Sequence, residues 1–256
     1  MLRLLIVLCL FGAADWSQAE EKSSAALSIE DLLIEPKQWT LSPRFGVGTD
    51  HIGDSSGASR SLNSSLALNY GLSRALAISW QYSGQRLAQN DTRFNASTQA
   101  LGFRWRLPVE GAWQWSISAH REILASHSAA GLAWASPAHN LSIQAYRFLD
   151  PLVLSSSIAY FRGSRWRLGR DVSPRSQGMN WSVGLDFAVN RVVGLYTSYQ
   201  LSHDLSGQSG TYAIWQRLNL GGSYRLSADS SLALTLGFGL ADESAATLSV
   251  QGRYRF

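Results

Sequence analysis

The sequence predicts an all-β fold: a transmembrane antiparallel β-barrel of twelve strands with a short N-terminal plug helix. Three observations lead to this prediction. Apolar residues recur at every second position, tight turns alternate with longer breaks, and the last strand ends on an aromatic residue. One face of that last strand carries Leu248, Val250, Tyr254 and Phe256. The other face is polar and includes Arg253 and Arg255, which is typical of a wall with lipid outside and water inside.

Residues 1–19 are predicted to be a secretory signal peptide. A positive charge at Arg3 precedes the uncharged apolar run Leu4–Ala14, and small residues at Ser17 and Ala19 suit a cleavage site. The run is too short to span a membrane, and the alternative of a buried N-terminal helix fits the charge order less well. The single cysteine, Cys9, lies inside this run, so the exported chain is expected to contain no disulfide.

The amino-acid composition further narrows the class of protein to which the chain can belong. Charged residues make up 16% of the chain, below the usual ~25%. After the signal peptide no run of about 18 apolar residues occurs, which excludes helical membrane spans. Ten Trp, nine Tyr and 22 Gly residues suit a barrel with aromatic girdles. The net charge of +4 comes from basic residues that stand singly rather than in runs, so no nucleic-acid partner is predicted.

The spacing of the turns sets the number of strands. Tight turns are predicted at Gly71–Arg74, Pro108–Gly111, Asp150–Pro151, Asn190–Arg191 and Ser227–Asp229. Longer breaks are predicted at His51–Arg60, Arg86–Thr92, Leu124–Pro137, Arg162–Gln177, His203–Gly210 and Ala241–Ala245. Six hairpins joined by five tight turns give twelve strands across residues 39–256, with the tight turns on the periplasmic side.

Apolar and polar residues alternate regularly in eleven of the predicted strands, and the sixth strand has the least regular pattern. Leu141 and Ile143 alternate there, but Arg147–Phe148 breaks the period. The preceding stretch, His127–Ser136, reads either as a loop or as an extension of the strand. The tenth strand is predicted to begin at Tyr212.

The inward faces are predicted to form a wet, positively charged lumen, since twelve strands enclose more space than side chains alone can fill. Seven arginines point inward by parity: Arg44, Arg104, Arg106, Arg217, Arg225, Arg253 and Arg255. Only Glu122 and Asp186 oppose them, which leaves a surplus of five positive charges. A confined surplus of this kind attracts anions, either solutes or an acidic segment of the same chain.

Such a segment lies between the signal peptide and the first strand, at residues 20–38. Ser28 and Asp31 resemble a capping box, and Pro36 ends the run. The predicted plug residues are Glu30, Asp31, Leu32, Leu33 and Glu35. The alternatives are a short periplasmic helix at the membrane surface or a frayed leader, because so short a helix depends on tertiary contacts.

Four stretches carry a resemblance to a known family. They are Ser28–Pro36 running into Trp39–Ser42, Asp150–Tyr160, Leu220–Ser227, and Gly237–Leu240 with Tyr254–Phe256. They resemble a family of outer-membrane barrel transporters that includes proteins linked to the meta-pathway of phenol degradation. The same family includes the secretion channel for functional amyloid (Fap) subunits in pseudomonads. The resemblance implies a short helix before the first strand that plugs the pore. This chain lacks the long coiled-coil extension of the amyloid exporter.

The predicted function is a channel in the outer membrane of a Gram-negative bacterium that passes small solutes through an arginine-biased lumen. Tyr254 and Phe256 are predicted to form a C-terminal insertion signal for the barrel-assembly machinery. Lipopolysaccharide is a further predicted partner, because the Arg162–Gln177 loop carries five arginines suited to phosphate. No cofactor is predicted.

Two alternatives remain: a secretion channel for a peptide or amyloid subunit, and an outer-membrane lipid hydrolase. The best hydrolase candidate is His203–Ser206, but this stretch reads as a loop that would not hold a nucleophile and a base together. The histidines show no zinc spacing. No catalytic residue and no metal site are therefore predicted.

Overall fold

The computed structural model describes residues 36–51, 58–89, 92–128, 132–173, 176–206, 214–240 and 245–256. The predicted signal peptide, the predicted plug residues and Tyr212 lie outside these described residues. None of the described residues forms a helix long and apolar enough to cross a membrane.

Twelve strands form the wall of one barrel. They are β1 (Trp39–His51), β2 (Ala58–Gly71), β3 (Leu76–Gln89), β4 (Thr92–Arg106), β5 (Trp113–His127), β7 (His139–Leu149), β8 (Leu152–Arg162), β11 (Gln177–Ala188), β12 (Val193–Asp204), β13 (Ile214–Arg225), β14 (Ser230–Leu240) and β15 (Ala246–Arg255). All neighbouring strands are antiparallel, and each pairs with the strand before and after it in the barrel. The predicted twelve-stranded antiparallel barrel is confirmed.

The barrel closes between its first and last strands. Leu41 pairs with Tyr254 and Val47 with Leu248 along the β1–β15 seam. The seam ends in two backbone hydrogen bonds: Trp39 N donates to Phe256 O at 3.0 Å, and Phe256 N donates to Trp39 O at 3.1 Å. Closure leaves no open strand edge in the wall, which a membrane requires because lipid cannot satisfy backbone polar groups.

The outer face of the wall is apolar and exposed. Leu101, Ile158 and Leu234 have 51%, 50% and 47% of their surface accessible, which in water would cost free energy and in lipid costs none. They occupy alternate positions, because successive side chains of a strand point to opposite faces. Aromatic rings gather near the end with the tight turns, where Trp39 and Tyr70 lie 4.6 Å apart and Tyr254 and Phe256 lie 5.8 Å apart. Such rings suit a membrane–water interface.

The sixth barrel strand, β7, is continuous from His139 to Leu149, and it runs through Arg147–Phe148, where the apolar period breaks. Arg147 keeps the outward phase of Ile143 and pairs with Trp113. The backbone pairing of the strand is regular there, but the charged side chain lies on the outer face and the apolar side chain on the inner face. Phe148 points inward and packs against Val153 of β8, which is only 1% exposed.

Two of the predicted breaks contain a second, three-stranded sheet. Its strands are β6 (Leu132–Ser136), β9 (Arg165–Leu168) and β10 (Asp171–Val172), in the order β10–β9–β6. β6 precedes β7, and β9 follows β8, so this small sheet stands above the long-loop end of β5, β7 and β8. The predicted break at Arg86–Thr92 is shorter than expected, because β3 runs to Gln89 and β4 begins at Thr92.

Candidate pore

A cavity of about 830 Å³ lies inside the barrel, against β1–β4 and β11–β15. Hydroxyl and amide side chains dominate the part of the wall that lines it. They include Asn63, Ser65, Gln81, Ser83, Gln85, Thr98, Ser198, Gln200, Asn219, Ser223, Ser231, Thr235, Thr247, Ser249 and Gln251. Each can donate or accept a hydrogen bond, so this surface can hold water or a polar solute.

Three of the predicted arginines, Arg44, Arg217 and Arg253, line this cavity. Asp186 is the only acidic residue among the described residues that line it. The Arg44 guanidinium donates from Nη2 to Ser249 Oγ at 3.1 Å, across the β1–β15 seam. The cavity therefore carries three cations against one carboxylate, on strands that surround the same space.

The other four arginines lie nearer the tight-turn end of the wall. Arg104 and Arg106 of β4 stand in register with Ser118 and Ser116 of β5. Arg225 of β13 pairs with Ser231, which pairs in turn with Arg253, so two arginines flank one serine. Arg255 pairs with Thr40 of β1. Five of the seven arginines thus lie on the sector of the wall formed by β1, β13 and β15, whereas Arg104 and Arg106 lie apart on β4.

Glu122, the second acid predicted to oppose the arginines, has a different set of partners. It is 5% exposed and accepts three hydrogen bonds at the base of the small sheet. Its Oε2 accepts from Trp134 Nε1 at 3.2 Å and from Ala138 N at 2.8 Å, and its Oε1 accepts from Ser164 Oγ at 3.3 Å. Trp134 lies within β6 and Ser164 directly precedes β9, so one carboxylate holds both strands of the small sheet.

Replacing Glu122 with Ala is expected to loosen the small sheet. The change leaves three donors without their buried acceptor, which costs about 1–3 kcal/mol for each unsatisfied group. Limited proteolysis of the folded protein should therefore cut faster within Leu132–Ser136 or Arg165–Val172, while the barrel itself stays intact on a heat-modifiability gel. Glu110→Ala is the control, because Glu110 is exposed in a turn at the opposite end. Equal cleavage of the two variants would contradict the role of Glu122.

The rings of Tyr196 and His120 lie along the barrel wall rather than across the lumen. The Tyr196 hydroxyl reaches Thr235 Oγ1 by passing over Gly221, where a Cβ atom would stand 2.2 Å from the ring. His120 Nε2 likewise lies 3.3 Å from Ser79 Oγ by passing over Gly102, where a Cβ would meet the imidazole at 2.2 Å. Glycine at these two positions keeps the lumen open, because any larger residue would force the ring away from the wall.

One feature of the inner wall was missed from the sequence. Val153 packs with Tyr146, Phe148 and Ala188 into a small apolar cluster on the inward face of β7, β8 and β11. A signal for it was present, since Tyr146 and Phe148 keep the phase of Gln144 rather than that of Ile143. The lumen therefore combines a cationic sector with an apolar patch on the opposite strands.

The hydrolase candidate does not form a catalytic arrangement. The sequence predicted a loop from His203 onward. The structure differs, because β12 extends through Asp204 and so includes both His203 and Asp204. The Ser206 hydroxyl donates to Asp204 Oδ2 at 2.9 Å, and the Ser206 backbone N–H donates to Asp204 Oδ1 at 2.7 Å. In a Ser-His-Asp triad the serine hydroxyl donates to the histidine and the acid orients that histidine, whereas the Ser206 hydroxyl donates to the acid itself. Across the described ranges, no group of three or more His, Cys, Asp and Glu residues is arranged for a metal ion.

No family model matches the sequence, and no curated protein matches it. Solved structures do match. An outer-membrane channel from Pseudomonas putida F1 is similar with a TM-score of 0.68 and 11% identity, over 88% of this chain and 98% of that one. The chain has the fold of an outer-membrane β-barrel. The exposed apolar belt suits lipid, and the closed seam leaves no unpaired strand edge in the wall, as a membrane-spanning barrel needs.

Two further structures have a similar fold. The β domain of the Bordetella autotransporter BrkA matches with a TM-score of 0.58 and 9% identity, over 84% of this chain and 98% of that one. The KdgM porin in complex with disordered oligogalacturonate matches with a TM-score of 0.52 and 12% identity, over 85% of this chain and 99% of that one. At these identities the likeness establishes the barrel fold of this chain.

Proposed function

We propose that this outer-membrane barrel is a channel that passes small polar solutes and prefers anions. The observation that carries the proposal is the cavity with Arg44, Arg217 and Arg253 on its lining and Asp186 as the one acid among its described lining residues. An enclosed, water-filled space with surplus positive charge concentrates anions and repels cations. The test is the zero-current potential of the reconstituted protein in a planar bilayer under a potassium chloride gradient.

The hydroxyl and amide lining supports a solute channel rather than a pore sealed by its own side chains. Ions and sugars that enter give up part of their hydration, and these groups replace the lost hydrogen bonds. The resemblance to the barrel transporter family that includes the phenol-pathway proteins fits the same function. Two of the structural neighbours are described as a channel and as a porin, the latter in complex with an acidic oligosaccharide.

We further propose that the segment before β1 gates the channel from the periplasmic side. The chain reaches the wall at Lys37, whose backbone N–H donates to Gly71 O at 2.8 Å, and Lys37 has a φ of 63°, so the chain turns there. Glu30, Asp31 and Glu35 precede this point by only a few residues. Their charge is opposite to that of the arginine sector, and Leu32 and Leu33 suit the apolar cluster around Val153.

Deleting Glu20–Glu35 is expected to raise the single-channel conductance, because the proposed gate is removed while the wall from Pro36 onward is kept. The measurement is single-channel recording of the wild type and the deletion variant at the same salt concentration. A matched variant with Glu30, Asp31 and Glu35 changed to Gln keeps the length but removes the charge, so it should open more often than the wild type. Unchanged traces from both variants would contradict the gate and leave the channel itself standing.

A further inference from the structure

The barrel wall is taller on one side than on the other. Strands β1–β5 contain 13 to 15 residues, whereas the other barrel strands contain 10 to 12. A tilted strand crosses the hydrocarbon with about 9–11 residues. Because β3 starts at the periplasmic turn, its last few residues stand above the hydrocarbon, in the headgroup layer of the outer leaflet.

A groove of about 450 Å³ lies at this height on β2–β5. Tyr82 lines it from the membrane side, with its ring 37% exposed on the lipid-facing side and its hydroxyl 3.5 Å from where a Cβ on Gly84 would lie. The lipid-facing Leu124 of β5 is 55% exposed near the same level. The lower edge of the groove is therefore apolar and faces lipid.

The middle of the groove is polar. Ser97 of β4 and Ser126 of β5 pair across the strands, and their hydroxyls lie 2.6 Å apart. Both line the groove; Ser126 is exposed and Ser97 is half-buried. Leu62 and Tyr82 flank these hydroxyls with apolar surface, so a bound molecule meets hydrogen-bonding groups and hydrocarbon at once.

The upper edge of the groove is cationic. Arg86 of β3 lines the groove and pairs with Leu62. Arg60 of β2 lies two residues from Leu62 on the same face, and both arginines are exposed. Diagonal neighbours on adjacent strands have their Cβ atoms within about 7–8 Å, so the two guanidinium groups repel each other unless an anion lies between them. Arginine forms paired, charge-assisted hydrogen bonds with phosphate.

We propose that this groove binds the phosphorylated glucosamine headgroup of lipid A, the anchor of lipopolysaccharide. Phosphate lies between Arg60 and Arg86, sugar hydroxyls meet Ser97 and Ser126, and acyl chains run down past Tyr82 and Leu124. The order of cation, hydroxyl and apolar surface along the wall matches the order of groups in that amphiphile. The site lies on β2–β5 and is separate from the arginine loop between β8 and β11.

The test is lipid A binding to the full-length barrel in mild detergent, followed by native mass spectrometry. Changing Arg60 and Arg86 together to Gln should weaken binding about tenfold or more, since two charge-assisted contacts are lost. The matched control changes Arg74 and Arg191 to Gln; both are exposed in tight turns at the other end of the barrel, and the loss of charge is the same. Heat-modifiability of each variant verifies that it is folded before binding is measured.

Two further experiments separate the contribution of the lipid phosphates from that of the serine hydroxyls. Lipid A stripped of its phosphates should bind the wild type as weakly as intact lipid A binds the double variant. Ser97→Val with Ser126→Val keeps the charges, suits a lipid-facing wall and should lower the affinity through the lost hydroxyls. Equal losses in the Arg60/Arg86 variant and its control, or phosphatidylglycerol bound as tightly as lipid A, would overturn the proposal.

Discussion

Deletion of Tyr254–Phe256 is expected to leave almost no folded barrel in the outer membrane. The deletion removes the hydrogen bonds between Phe256 and Trp39 and the pairing of Tyr254 with both Leu41 and Ser230. Each backbone group left unsatisfied in lipid costs several kcal/mol, so a seam that is open at one end is unstable in the membrane. The measurement is the heat-modifiable band of the folded barrel in outer-membrane fractions.

Phe256→Ala separates closure of the barrel from the predicted recognition of its C-terminus by the assembly machinery. This variant keeps the backbone seam and loses only the ring that stacks with Tyr254. It should refold into detergent in vitro as the wild type does, but reach the outer membrane at a lower level in cells. A three-residue deletion that assembles at the wild-type level would refute the importance of this seam.

Changing Arg44 and Arg217 to Glu is expected to invert the ion selectivity of the channel. The described cavity lining then changes from three arginines and one aspartate to one arginine and three acids, a swing from +2 to −2. A unit charge contributes about 1 kcal/mol at contact distance in water and more in a confined lumen, so the permeability ratio should shift about tenfold or more. The sign of the zero-current potential in a salt gradient reports this directly.

The control for this prediction is Arg167→Glu with Arg170→Glu, which changes the net charge equally but lies at the small sheet rather than on the cavity lining. It should leave the sign of the potential unchanged. Arg44→Gln with Arg217→Gln should fall between the wild type and the charge reversal. A wild-type potential that already indicates cation preference would contradict the proposed function.

Much of the barrel was predictable from the sequence because its governing rule is local. A period of two places Leu101, Phe103 and Trp105 on one face whatever the neighbouring strand is, and the short turns fix which strands pair. The apolar period breaks at Arg147 although the strand continues, because a single position near the membrane edge can carry a charge outward without disturbing the strand.

The small sheet was not predictable in the same way. Leu132 pairs with Leu168, 36 positions further along, and neither segment has enough alternating residues to suggest that partner. The role of Glu122 follows from that pairing, since parity alone places it inward but cannot name Trp134 or Ser164 as its donors. Long-range partners of this kind depend on the assembled wall.

The flat arrangement of Tyr196 over Gly221 and of His120 over Gly102 bears on engineering. A residue larger than glycine at either position would push the ring from the wall into the lumen, and it would also press on the backbone of the neighbouring strand, at Leu234 O or Ala119 O. Cys9 is the single cysteine of the sequence and lies in the predicted signal peptide, so a thiol placed beside either ring of the exported chain would accept a reporter group at one site only. The barrel is thus suited to development as a nanopore sensor that carries one reporter at a known position in its lumen.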